Sequence, residues 1–178
     1  PSDVGMKGER AIDAILSSRE RSFNLKRKGS KKNLQEIVAE RLQTMGLIKS
    51  FEIQSLGQNR KEYEVLVKTG SKMPQVKLTD VGFGVSQILP VIVECFFVPK
   101  NSTIIVEQPE IHLHPKVQAD LADLFIDGII ARENGEPRNC QIFIESHSEH
   151  FLRRLQLRMA EEKISKEETA LYFVTSGK

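Results

Sequence analysis

The sequence predicts an α/β protein: a mostly parallel sheet with flanking helices, and a small antiparallel β platform beside it. Three observations carry this. Two apolar, β-branched runs, Thr103 to Val106 and Gln141 to Ile144, each end abruptly in polar residues. Each run is followed by a segment of helical periodicity, and a third strand-like run, Leu171 to Val174, closes the series. Strand–helix–strand–helix–strand order implies parallel pairing with right-handed crossovers. Upstream, Phe51, Ile53 and Leu56, then Tyr63, Val65 and Val67, alternate with polar residues around Gly57-Gln58-Asn59, the pattern of a hairpin with one wet face.

Length and composition bound the rest. A chain of 178 residues fits one domain or one lobe of a larger protein. Its apolar fraction of 39% supports a core, and a net charge of +2 gives no global push towards nucleic acid or membrane. Cys95 and Cys140 lie in or beside apolar runs, so buried free thiols are expected rather than a disulfide. No signal peptide is present, and no apolar run approaches the roughly 20 residues that span a bilayer. A cytoplasmic protein without membrane contact is expected. The chain opens on Pro1 and closes on Gly177-Lys178 directly after a strand-like run, as expected of a fragment.

Three segments follow in order. Residues 1–50 are a helical, polar segment, with a weak apolar stripe at Met6, Ala11, Ile12, Ile15 and Leu16 and a clearer one at Leu34, Ile37, Val38, Leu42 and Leu47. Between the stripes, Arg19, Arg21, Lys26, Arg27, Lys28, Lys31 and Lys32 form a basic patch. Contact with a nucleic-acid backbone is one reading; a solvated linker is the favoured one, since Phe23 alone is too little aromatic interleaving for base stacking. Residues 51–79 are the antiparallel platform, with a third short strand at Val76 to Leu78. Residues 80–178 carry the chemistry. There, Gly82 and Gly84 make a tight turn into a buried helix over Ile88 to Phe97, a combination that favours an anion. Pro90 is expected in that helix's first turn, where N–H groups lack intrahelical partners. Pro115 starts another helix, Gly135-Glu136-Pro137 is a loop, and a last helix turns Phe151, Leu152 and Leu155 inward and Arg153, Arg154 and Arg158 outward.

Two strands thus deliver polar clusters to one sheet edge: Glu107-Gln108 with Glu110, and Glu145 with His147. In α/β folds, ligands bind at the carboxyl ends of the strands. A carboxylate there can hold Mg2+ or its waters, a histidine on the neighbouring strand can sense a terminal phosphate, and glycine amides can cradle an anion. Each cluster alone also fits helix capping or backbone satisfaction.

The order Gly82-Phe83-Gly84-Val85-Ser86-Gln87, then Ile104 to Pro115 reading "IIVEQPEIHLHP", then Ile142 to Ser148 reading "IFIESHS", resembles the C-terminal half of an ABC-type ATPase. The branch is the AAA-family, OLD-like group, related to the RecF and SMC ATPases, and the resemblance covers about residues 78–155. It implies a P-loop-NTPase-like fold, binding and hydrolysis of ATP with Mg2+, and an ATP-driven homodimer. It further implies that Gly82, Gly84 and Ser86 form a signature loop touching ATP on the opposite protomer. Glu107 takes the Walker B acidic place that supports Mg2+, His112 and His114 lie in a D-loop-like stretch, and His147 matches the switch histidine. DNA is the candidate partner, in DNA maintenance or phage defence.

Two departures stand out. Gln108 occupies the place where many relatives carry the glutamate that polarises the attacking water; an amide orients water but is a poor base, so Glu110 is a candidate substitute. No Gly-x-x-x-x-Gly-Lys-Ser/Thr occurs: Ser176-Gly177-Lys178 has Tyr172 where the first glycine belongs. The expectation is an incomplete lobe lacking Walker A, inactive alone, that completes an ATPase with an N-terminal lobe. One alternative is a nucleotide-gated switch with little hydrolysis. Another is a metal-dependent hydrolase binding Zn2+ or Mn2+ through His112 and His114 with Glu107 or Glu110.

Overall fold

The computed structural model of the chain describes residues 4–5, 8–25, 30–56 and 63–175. Met6, the basic residues Lys26 to Lys28, the hairpin turn Gly57-Gln58-Asn59 and Ser176-Gly177-Lys178 lie outside them. In chain order the elements are α1 (Ala11–Ser17), β1 (Phe23–Asn24), α2 (Leu34–Thr44), β2 (Ser50–Ser55), β3 (Tyr63–Lys68), β4 (Val76–Lys77), α3 (Phe83–Phe97), β5 (Thr103–Glu107), α4 (Pro115–Ile130), β6 (Arg132–Glu133), β7 (Glu136–Pro137), β8 (Gln141–Glu145) and α5 (Glu149–Ala160).

Helix α3 is the centre. It is apolar on almost every face, as a helix enclosed by neighbours must be, and Val85, Ile88, Leu89, Ile92, Val93 and Phe96 are all buried. Helices α1, α2 and α4 pack against it. Helix α2 forms because Asn33 and Glu36 make a reciprocal capping box and Leu34, Ile37, Val38 and Leu42 share its inner face. Gly46, at φ +77°, ends it in the left-handed region that glycine enters without steric cost. Helices α3 and α4 approach closely at Gly128, where a Cβ would stand 3.4 Å from the Cβ of Cys95. Both cysteines are buried and free, and burial pushes the Cys95 thiol up to about 12.

Among the described residues, three small sheets surround this core. The platform is as expected: β2 pairs antiparallel with β3, and β3 with β4. Phe51, Ile53, Val65 and Val67 face the core, whereas Leu56 and Tyr63, at the end of the hairpin where β2 leads to β3, are exposed. β5 and β8 pair in parallel. The sequence missed the third sheet, in which β7 pairs with β6 and β6 with β1; its pairs are two residues long and carry no alternation to detect.

Several expectations are corrected. Leu171 to Val174 pairs with no strand among the described residues; Tyr172 is 86% and Val174 96% exposed, so β propensity without a partner leaves a bare segment. β5 and β8 also leave one face open: Ile105 is 73% and Phe143 52% exposed. Pro90 lies well inside α3, because the helix begins at Phe83 rather than near Ile88. Arg154 and Arg158 do not face outward. They clamp Asp123 of α4, Arg158 through Nε and Nη2 at 2.5 and 3.0 Å and Arg154 at 2.6 Å. Arg21 and Lys32 are not a solvated patch either: Arg21 grips Glu133 and the Phe97 carbonyl, and Lys32 pairs with Glu40.

The fully buried Arg138 explains how α3 stops. Its guanidinium donates to the carbonyls of Cys95, Phe96, Val98 and Gly128 at 2.7–3.3 Å, satisfying acceptors that a helix end leaves over. Replacing Arg138 by Met should therefore destabilise the protein by on the order of 3 kcal/mol, since buried acceptors lose their donors at about 1–3 kcal/mol each; urea unfolding measures it. Burial works to raise the Asp123 pKa, but Arg158 and Arg154 outweigh it and hold the carboxyl below its ordinary value. Its stabilising contribution is present above the unfolded carboxylate pKa of about 3.9 and is lost as pH falls through the lower folded value. The gap in urea midpoint between wild type and D123N is expected to close as pH is lowered below about 4.

Candidate functional site at the strand ends

Parallel pairing in strict register, Thr103 with Gln141 through Glu107 with Glu145, brings the two polar clusters to the same edge. Side chains alternate along a strand. Ile104, Val106, Ile142 and Ile144 therefore face inward, and Glu107 and Glu145 project side by side from the exposed face.

Immediately after β5 the backbone turns sharply. Gln108 has φ +46° and His112 φ +61°, both in the region that non-glycine residues rarely enter. Such strain clusters where function needs a fixed geometry. The Gln108 N–H donates to the Glu145 carbonyl at 2.9 Å, and its side-chain Nε2 donates to Glu145 Oε1 at 2.9 Å. His147 Nε2 stands 3.9 Å from the same oxygen, with its ring 79% exposed.

Glu110 behaves differently. It is 6% exposed, and its Oε1 accepts the His147 backbone N–H at 2.6 Å. Its Oε2 is buried with no partner among the described residues. Gln118, in the first turns of α4, completes the tie. Its Nε2 donates to the Leu113 carbonyl at 3.0 Å, and its Oε1 accepts from the Ser148 hydroxyl at 2.7 Å. Ser148 in turn caps α5 by accepting the Phe151 N–H at 3.1 Å. The loops after β5 and β8 are thus one hydrogen-bonded unit. The sequence hides Gln118, a polar residue between Val117 and Leu121; the capping position of Ser148 is legible from the helix that follows it.

The remaining candidates divide. His114 caps α4, its Nδ1 accepting the Lys116 N–H at 3.3 Å, and Pro115 follows as the first helical residue. With that nitrogen occupied and Glu110 turned to His147, the donor set expected for a zinc-type centre does not converge, and among the described residues no group of three or more His, Cys, Asp or Glu is placed to hold a metal. Gly82 caps α3, and Ser86 is exposed beyond it. Neither Gly82 nor Gly84 has a positive φ, so the turn itself does not require them. Gly84 lies close to the loop after β5: a Cβ there would make ordinary contact with Leu113 at 3.9 Å, so the first turn of α3 abuts that loop. A shallow concavity along α2, lined by Lys31, Lys32, Glu36 and Glu40, includes none of these residues.

Residues 10–152 match the AAA ATPase domain family. The chain belongs to that family. All of the strand-end residues fall within the matched span of this AAA ATPase domain. The structure is also similar to a solved chain from work on ATP-driven dimerization and DNA-stimulated activation of SMC ATPases. The TM-score is 0.52 at 12% identity, covering 68% of this chain and 71% of that one. That likeness establishes the fold, a mixed α/β arrangement of small sheets and flanking helices of the P-loop-like type. A comparison with curated proteins finds no match. No helix among the described residues is long and apolar enough to cross a membrane.

The bond from Glu110 to the His147 amide is open to a direct measurement. A hydrogen bond to a charged group contributes about 1.5–3 kcal/mol. Hydrogen exchange at the His147 amide should accelerate tenfold or more in E110A, since about 1.4 kcal/mol is a factor of ten, while amides of α3 keep their protection.

Proposed function

We propose that this chain is the signature and Walker B half of an ABC-type ATPase of the OLD/RecF/SMC-like group, in which ATP with Mg2+ closes a head-to-tail homodimer. The observation that carries the reading is the juxtaposition of Glu107 with Glu145 and His147 on one parallel sheet edge, with the first turn of α3 beside it. A P-loop from an N-terminal lobe supplies the main phosphate contacts, and the bare face around Ile105 and Phe143 supports such a further layer, because parallel sheets are normally covered on both faces.

Within this reading, Glu107 would hold Mg2+ or its waters, since a carboxylate oxygen suits that hard cation. When bound, Mg2+ would neutralise charge on the transferring phosphate. His147, exposed and steered by its own loop, reaches the terminal phosphate. Gly82, Gly84 and Ser86 present the start of α3, with its positive dipole end, to ATP on the opposite protomer. His112 and His114 lie on the D-loop-like stretch at the dimer seam. A cytoplasmic role on DNA, in maintenance or phage defence, follows from the family resemblance. The SMC ATPase similar in fold is described as dimerising with ATP and being stimulated by DNA.

Gln108 favours a second reading, a nucleotide-gated switch with little turnover, because an amide does not accept the proton of the attacking water. Steady-state turnover of the full-length protein separates the two. For the dimer itself, S86R places a bulky cation where the opposite protomer's ATP would dock. With ATP and Mg2+, wild type is expected to elute as a dimer and S86R as a monomer, with ATP affinity per monomer changed less than about threefold. An S86R dimer as stable as wild type would remove the signature role.

A further inference from the structure

We propose that Glu145, on the neighbouring strand, is the catalytic base that position 108 lacks, and that Gln108 is its positioning partner. The inference rests on the ATPase reading and adds to it the residue that takes the proton. Three acidic groups reach this edge. Glu107 is the residue given to Mg2+. Glu110 is the substitute the sequence suggests, but it is buried and its Oε1 is committed to the His147 amide at 2.6 Å, so it holds a loop. Glu145 has the opposite character: its side chain is 57% exposed, and it projects beside Glu107 from the strand end.

The contact with Gln108 decides the assignment. The amide at 108 is spent on Glu145, its Nε2 donating to Oε1 at 2.9 Å, while the Gln108 backbone N–H fixes the Glu145 carbonyl at the same distance. Oε2 of Glu145 makes no hydrogen bond among the described residues, so it can accept one from water. A glutamate at 108 would meet Glu145 as carboxylate against carboxylate; glutamine removes that repulsion and supplies a donor instead. The pair therefore splits between two strands what one glutamate does alone: Gln108 orients and Glu145 accepts. In the step itself, the water oxygen bonds to the γ-phosphorus as the bond from that phosphorus to the β–γ bridging oxygen breaks. ADP leaves with the electrons of that bond, and the water's proton passes to Glu145 Oε2, yielding ADP and inorganic phosphate.

The test uses the full-length protein, P-loop included, with ATP and Mg2+. Removing a positioned base typically costs 10²–10⁴-fold. E145Q is expected to lose at least about a hundredfold in kcat while binding ATP within about threefold of wild type, and its ATP-driven dimer should outlive the wild-type dimer on size exclusion. Q108E alone should not gain turnover. The swap Q108E/E145Q, which restores one acid and one amide in contact, should recover at least about tenfold over E145Q. An E145Q enzyme within threefold of wild type overturns the proposal, as does a swap no faster than E145Q. Recovery of E145Q by raised Mg2+ alone overturns it in favour of a metal-holding carboxylate. A wild-type protein that binds no ATP sinks the ATPase reading instead, and shows it before any variant is compared.

Discussion

Everything at the strand-end edge depends on the register between Thr103–Glu107 and Gln141–Glu145. Side chains on a strand repeat every two residues, so a slip of one would turn Glu145 into the core and Phe143's neighbours out to water. Five consecutive pairs hold the alignment, and the Gln108 N–H adds one more step beyond the last. The inner residues Ile104, Val106, Ile142 and Ile144 make the alternative register costly, since each would trade an apolar neighbour for solvent. Chemistry at the edge is thus specified by packing beneath it.

A second constraint works from behind. Arg138 sits just before β8, and its four backbone acceptors belong to the end of α3 and to α4. The entry of β8 is tied to the helices, and its exit is tied by Gln118 and Glu110 to the loop after β5. Between these two anchors the strand is held at both ends, although among the described residues only β5 pairs with it. A bare two-stranded sheet would be marginal alone; here polar bonds at both ends supplement the apolar contact on one face.

Much of this was legible in the sequence. The alternation in 51–67, the abrupt ends of the two apolar runs, and Pro115 at a helix start gave the platform, the parallel pair and α4, because local periodicity determines them. The edge cluster was legible for the same reason. What escaped were long-range polar matches. Nothing in the spacing of Arg154 and Arg158 says that Asp123 will meet them, or that Glu110 will turn inward while Glu145 stays wet. Pairs of two residues, such as β6 with β7, lie below the length at which alternation can be detected. The run at Leu171 misled for the complementary reason: composition reports willingness to pair, and pairing needs a neighbour.

That run has a practical side. Residues 170–175, Ala-Leu-Tyr-Phe-Val-Thr, carry no charge and no proline, are rich in β-formers, and lie open along the backbone. Segments of this kind stack with copies of themselves when nothing else covers them. At the concentrations used for spectroscopy or crystallisation, such a run favours self-association. A single lysine among them, at a position where the side chain is already in water, would break the uncharged run.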